Sequence, residues 1–234
     1  MKKIVTFAVA LLALTAMVAS AAGPFYARGG YYDAGWSADA GNLLVEGPAG
    51  VFTATVHSPM PAGYYEGKVA LADWSSSWPN SNQPVILAVG NEDVKWSFDT
   101  NTYADGWSPS TNIAINDHGT TGLTFEVIGA APETGGWGSG VAATLTGDIW
   151  GVQLTIATVG TYDVKFRKTG DWSVNCGASG FGTNESNYSY TTTLPNQPVL
   201  FQFNQKTGRV RALVGGGASP TRTTSFGAIK ALYR

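Results

Sequence analysis

Cysteine is almost missing from this chain. Cys176 is the single one, so no internal disulfide can form and stability must come from packed apolar cores. Histidine is nearly as scarce, with only His57 and His118, and no HExxH or Cys/His cluster that would suggest a metal or a nucleophile–base pair. The Gly-x-Ser-x-Gly elbow is also missing, as is a glycine-rich loop ending in Lys-Ser/Thr. Cys176 itself reads as a small packed residue. No run or patch of lysine and arginine occurs, so nucleic-acid binding has no electrostatic footprint. Beyond the first two dozen residues no apolar stretch is long enough to cross a bilayer, and no transmembrane span is expected in the mature chain. Charged residues are only 13% of the sequence, which leaves hydroxyls and amides to solvate its surface.

The start is different. Lys2 and Lys3 precede an apolar run from Ile4 to Val18, and Ala19-Ser20-Ala21 offers a small-residue cleavage site. This pattern predicts a bacterial-type secretory signal peptide over 1–22 and a secreted, extracellular protein, with association to the cell surface open. Removing it leaves 12 basic against 16 acidic residues, a net charge of −4.

The chain then says the same thing twice. "GYYEGKVALADW" (63–74) is echoed by "GTYDVKFRKTGDW" (160–172), each closing on Asp-Trp. Around this pair, Phe25 sits beside Phe125, Trp36 beside Trp137, and "EGPAGVFTATV" (46–56) beside "TGDIWGVQLTI" (146–156). That last alignment sets Phe52 against Val152. "VKWSFD" (94–99) falls beside "VLFQFN" (199–204). The offset drifts between 97 and 105 while the order of pieces is kept, as unequal loops between equivalent elements would give.

Each piece alternates. Val152, Leu154 and Ile156 are separated by polar residues. Tyr162, Val164 and Phe166 alternate with Asp163, Lys165 and Arg167. A period of two places the apolar set on a core face and the polar set in water. Short alternating segments bounded by Gly, Asn, Pro and Ser predict an all-β protein of two tandem immunoglobulin-like β-sandwiches. The expected layout is a first sandwich over 23–105, a linker over 106–122 and a second sandwich over 123–213. A flexible tail, 214–234, follows. The linker is long enough that part of it should pair or pack. Within the tail, Phe226, Ile229 and Leu232 recur at a spacing of three, which suits either a frayed end or a docking tag.

Aromatic residues carry the functional signal. Trp74 and Trp78 lie in "ADWSSSWPNSNQP", and Trp172 begins a segment holding Asn184, Tyr188 and Tyr190. A loop ring offers a flat platform for the C–H face of a sugar, and neighbouring Asp and Asn side chains can bind hydroxyls. The candidate ligand-binding residues are therefore Trp74, Trp78, Asp73, Trp172, Asp171, Tyr188, Tyr190 and Asn184. No catalytic residue, metal ligand or cofactor is expected. Each ring has a second reading as a lid over the end of a core.

The phrases "PAGYYEGKVALADW" with "VKWSFD", and "GTYDVKFRKTGDW" with "GASGFGTN" and "VLFQFN", resemble the immunoglobulin-like accessory modules of secreted pullulanases and related starch-acting enzymes. The resemblance covers both halves. It implies a sandwich fold and binding of an α-glucan or another polysaccharide. In the first half the glycine- and asparagine-rich loop is missing, so 19 residues separate Trp74 from Val94 where 26 separate Trp172 from Val199. The expected function is a secreted, non-catalytic carbohydrate-binding protein. The alternative is a structural cell-surface or filament subunit, partnered by itself or by an envelope component.

Overall fold

The structure, a computed structural model, describes residues 23–182 and 186–216. The expected signal peptide, 1–22, and residues 217–234 of the expected tail lie outside the described residues, as does Asn184.

Alternation along the sequence becomes strand after strand. The first half holds β1 (Phe25–Gly29), β2 (Val45–Glu46), β3 (Val51–Ser58), β4 (Gly63–Leu71), β5 (Ser77–Leu87), β6 (Glu92–Asp99) and β7 (Ile113–Asn116). The second holds β8 (Phe125–Gly129), β9 (Val141–Ala142), β10 (Thr144–Thr146), β11 (Ile149–Ile156), β12 (Gly160–Lys168), β13 (Asn175–Gly177), β14 (Gly180–Phe181), β15 (Tyr188–Thr192), β16 (Gln197–Asn204) and β17 (Val210–Val214). Every pairing is antiparallel, and the strands form four sheets. No α-helix occurs among the described residues; Pro132–Thr134 make one short 3₁₀ turn.

Strand order repeats between halves. The order β2-β3-β6-β7 is matched by β10-β11-β16-β17, and β1-β4-β5 by β8-β12 with its β13 and β15 neighbours. In each half the two sheets share one apolar cluster. Phe25, Val69 and Val85 from one sheet meet Phe52, Val94 and Phe98 from the other. Phe125, Val164 and Phe166 likewise meet Trp150, Phe201 and Phe203.

The ladders correct one alignment made on sequence. Val51–Ser58 pairs with Glu92–Asp99 as Ile149–Ile156 pairs with Gln197–Asn204. Phe52 is thus equivalent to Trp150, two positions from Val152. A slip of two residues keeps every side chain on the same face, so hydrophobic alternation cannot detect it. With this register the same three-ring cluster recurs. Phe25 lies 4.8 Å from both Phe52 and Phe98, centroid to centroid. Phe125 lies 5.6 Å from Trp150 and 4.9 Å from Phe203.

Two further devices are duplicated. The Tyr65 hydroxyl donates to the Pro61 carbonyl at 3.0 Å, and the Tyr162 hydroxyl to the Thr158 carbonyl at 3.2 Å, each four residues upstream. Gly29 and Gly129 end the first strand of each half. A Cβ there would lie 2.3 Å from the Glu66 carbonyl oxygen and 2.4 Å from that of Asp163, respectively.

The segment 106–122, expected to be a linker, contains β7, which completes the first half by pairing with β6. Its earlier part, together with Asp105 just before it, fastens the halves together. Ser108 bridges to Val210, and Arg209 makes paired bonds of 3.0 and 2.6 Å to the Asp105 carboxylate. The seven extra residues of the second half also find their place: β13, β14 and β15 stand where the first half has the single strand β5.

Gly29→Ala and Gly129→Ala each force strand backbone apart. Each is expected to lower unfolding free energy by roughly 1–3 kcal/mol, as overpacking does, whereas Gly47→Ala, whose built Cβ has the Val51 carbonyl oxygen at 3.9 Å as its nearest neighbour and whose backbone is not left-handed, meets no such barrier. Chemical denaturation of the three variants measures the difference.

Candidate functional site

Alternation predicts that the polar residues of β12 lie in water, yet Lys165 and Arg167 are each only 6% exposed. The outer face of this sheet is covered by loops, and the loops carry the tryptophans.

In the first half, β4 ends in a tight turn: the Trp74 amide donates to the Leu71 carbonyl and the Leu71 amide to the Ser76 carbonyl. Asp73 accepts bonds from the Ser75 amide and hydroxyl at 3.0 and 2.7 Å. Asp171 accepts the equivalent pair from Ser173 at 2.7 and 2.8 Å, and a third bond from Lys168 at 2.8 Å. These contacts hold both carboxyls below their ordinary range, Asp73 through Ser75 and Asp171 first through Lys168 and then Ser173. The two expected sugar-binding carboxylates are turn builders. The repeated unit is Asp-Trp-Ser, and its serine was the unread signal, because Asp followed two residues later by Ser forms such turns.

Each loop indole meets a second one. Trp74 lies 6.2 Å from Trp36, and Trp172 lies 6.4 Å from Trp137, with ring planes tilted by 44° and 32°. Trp74 and Trp172 remain 43% and 41% exposed. The backbones of Trp74 and Trp137 have φ of 63° and 67°, a conformation costly for bulky residues and held here by the surrounding turns.

A guanidinium packs against each exposed indole. Arg28 Cζ stands 4.3 Å from the Trp74 ring, and Arg167 Cζ 4.5 Å from the Trp172 ring. Arg28, 1% exposed, donates to the carbonyls of Trp36 at 3.3 Å and Ala72 at 2.9 Å, tying both tryptophan loops to the sheet. Arg167 donates to Gly138 beside Trp137 at 3.4 Å and to Glu126 at 2.6 Å, and Glu126 accepts the Gly170 amide at 3.2 Å. The two arginines are not sequence equivalents: Arg28 lies on β1, Arg167 on β12. A search for repeated residues therefore passes over both.

The remaining candidates divide. Trp78 belongs to β5 and is half-buried, 4.7 Å from Phe98 and 5.8 Å from Phe25, so it is a core residue rather than a loop platform. Tyr190 is also core: it is 5% exposed and set edge-on to Phe201 at 5.0 Å. Tyr188, half-buried on β15, packs on the same cluster. Trp78, Tyr188 and Tyr190 all prove to be strand residues, and the polar composition around them hid the alternation. Beside Trp172, a cleft of about 220 Å³ opens between the halves, lined in part by Tyr64, Glu66, Asn82, Ser173 and Asn175.

No protein-family model matches the chain, and no curated protein matches it. The geometry therefore carries the functional argument.

Both histidines converge on the Glu92–Asp93 dipeptide. His57 Nδ1 lies 2.9 Å from Asp93 and Nε2 3.3 Å from Asn91; His118 lies 2.8 Å from Asp117 and 3.4 Å from Glu92. Their partners are carboxylates and an amide. Among the described residues no three His, Cys, Asp or Glu side chains are placed to hold a metal ion. The Asp93 hydrogen bond raises the His57 pKa above 6.5. A raised folded-state value contributes stability fully present below the unfolded pKa and lost as pH rises through the folded one. Proton NMR titration should give a His57 midpoint above its ordinary value, and Asp93→Asn should move it back down.

Arg167→Leu leaves Glu126 buried without its cation. The expected cost is about 3–5 kcal/mol in unfolding free energy, accompanied by a red shift of tryptophan emission as the Trp137–Trp172 pair loosens. Arg167→Leu combined with Glu126→Leu should recover most of the stability, since the orphaned charge is gone.

Proposed function

We propose that this chain is a secreted, non-catalytic carbohydrate-binding protein made of two tandem immunoglobulin-like β-sandwiches. The Trp36–Trp74 and Trp137–Trp172 pairs stack on the sugar rings of an uncharged polysaccharide of the α-glucan kind. One observation carries this reading: each half holds a tilted indole pair whose exposed ring, Trp74 or Trp172, is backed by a buried guanidinium, and each recruits that guanidinium from a different strand. A lid over a core end needs no such support, because its ring would be buried by the core itself. Preorganised rings lose little freedom when a sugar arrives, and so more of the stacking energy is retained on binding.

The duplicated immunoglobulin-like reading rests on the shared strand order and on the matched tyrosine corners. Two sites on one chain give avidity when both engage one polymer. For the alternative of a filament subunit, the long strand β5 ends its sheet but lies against β14 of the second half. It carries Pro79 and Pro84, which blunt edge-to-edge pairing.

Isothermal titration of the mature protein against soluble starch, glycogen and cell-wall glycans tests the proposal. Trp172→Ala is expected to weaken binding about ten-fold or more, as loss of a central aromatic anchor does, and the Trp74→Ala/Trp172→Ala double variant to abolish it. The proposal fails if no glycan produces heat, or if both variants bind like the parent chain.

A further inference from the structure

A third guanidinium lies against an indole, away from both pairs. Arg211 Cζ stands 4.3 Å from the Trp107 ring, the distance found at Trp74. Trp107 is half-buried and belongs to the segment that joins the halves. That segment is held in place. The Trp107 amide donates to Asp105 at 3.2 Å, the Asp105 carboxylate is paired with Arg209, and Arg209 donates to the Trp107 carbonyl at 3.2 Å. The next residue, Ser108, is bonded to Val210 through both its amide and its carbonyl.

Arg211 opens onto the outer face of the sheet β10-β11-β16-β17. Val210 and Ala212 pack on the core, so Arg211 between them points away from it. Its Nε donates to Gln202 Oε1 at 2.8 Å. Arg211, Gln202, Gly151 and Thr144 stand in register and form one row across all four strands, about 15 Å long at three strand spacings. Gln202, Gly151 and Thr144 also line a groove of about 490 Å³, together with Gln153, Thr146 and Leu200, and no lining side chain is ionisable. Gly151 leaves the middle of the row open. A Cβ built there meets only the Phe201 carbonyl oxygen at 3.7 Å and Gln202 Cγ at 3.9 Å.

The first half lacks this arrangement. With Phe52 equivalent to Trp150, the matching row is Val45, Thr53, Ser97 and Ile115. Ile115 stands where the second half has Arg211, and Thr53 where it has Gly151. The sandwich itself therefore requires neither the arginine nor the glycine. The two occur together where an indole comes down beside them.

We propose that Trp107 and this groove bind a segment of an uncharged glucan chain, at a site separate from the two indole pairs. The choice of ligand rests on the reading of those pairs; the site rests on Trp107, Arg211 and Gly151. The indole offers apolar surface to the C–H groups of a sugar ring. Arg211 occupies the Gln202 carbonyl oxygen, which leaves the Gln202 NH2 to donate to a hydroxyl. Gln153, Thr144 and Thr146 supply further donors and acceptors. One ring with a few amides binds weakly, since only part of the contact energy survives the cost of ordering the chain. Such a site is silent in calorimetry once both pairs are removed, and NMR is the readout that reaches it.

The experiment uses the isotope-labelled mature chain carrying Trp74→Ala with Trp172→Ala, so that neither pair competes. Maltoheptaose is added to millimolar concentration. The Trp107 indole N–H and the amides of Gly151 and Gln202 are expected to shift together and to saturate on one curve. Trp107→Ala, added to this chain, should raise the half-saturating concentration read at Gly151 and Gln202 about ten-fold or more, as loss of an aromatic anchor does. Gly151→Thr installs the residue that the first half carries at this place and should raise it several-fold. Shifts that are absent, that fail to saturate, or that spread evenly over all the tryptophans overturn the inference. So does a half-saturating concentration that neither variant changes. The two readings fail separately. A parent chain that gives no calorimetric heat while the groove saturates overturns the indole pairs alone. A parent chain that gives heat while the groove amides stay still overturns the groove alone.

Discussion

Three aromatic rings hold each half together. Phe25 with Phe52 and Phe98, and Phe125 with Trp150 and Phe203, join the first strand of one sheet to the central hairpin of the other. Such rings remove large apolar areas from water and gain further from edge-on and tilted contacts. With one buried cysteine and no disulfide, little else can clamp two sheets face to face. Fixing these rings inward also fixes what points outward, since neighbouring side chains on a strand alternate. Arg28 and Glu126 are outward because Phe25, Ala27, Phe125 and Val127 are inward.

The outer faces then become a second layer. Buried cations on a sheet need acceptors, and the loop carbonyls of Trp36, Ala72 and Gly138 supply them. The bonds in turn bring the loops down and set their indoles against the guanidinium planes. Cation and aromatic face attract more strongly when water is excluded from between them. A loop that would wander in solvent is thus held at a defined angle with one part of its ring exposed. Asp73 and Asp171 contribute by shaping the turns through their bonds to Ser75 and Ser173.

The halves are joined by more than a tether. Arg209 reaches from the loop before β17 to the Asp105 carboxylate and to the carbonyls of Pro109 and Trp107, and Arg211 stacks on Trp107 at 4.3 Å. The connection is therefore part of the folded body, and after it the chain enters β7 before leaving for the second half. A segment rich in Gly, Asn, Ser and Thr gave no alternating pattern to reveal this, because its single strand is only four residues long.

Composition and period two were enough to determine an all-β chain with a repeated order of strands, and to single out Trp74 and Trp172 as the paired rings at the ends of equivalent strands. Those features are local, written in side-chain alternation and turn residues. Register within the β3–β6 and β11–β16 hairpins was decided only in three dimensions, since a shift of two residues leaves the pattern of faces unchanged. The assignment of Trp78 and Tyr190 to the cores was likewise tertiary, set by which sheet lies opposite. So was the most informative feature of the site, a guanidinium packed against each exposed indole. Arg28 and Arg167 occupy unrelated positions in the repeat, and only the folding of loops over the outer sheet brings each to the same place.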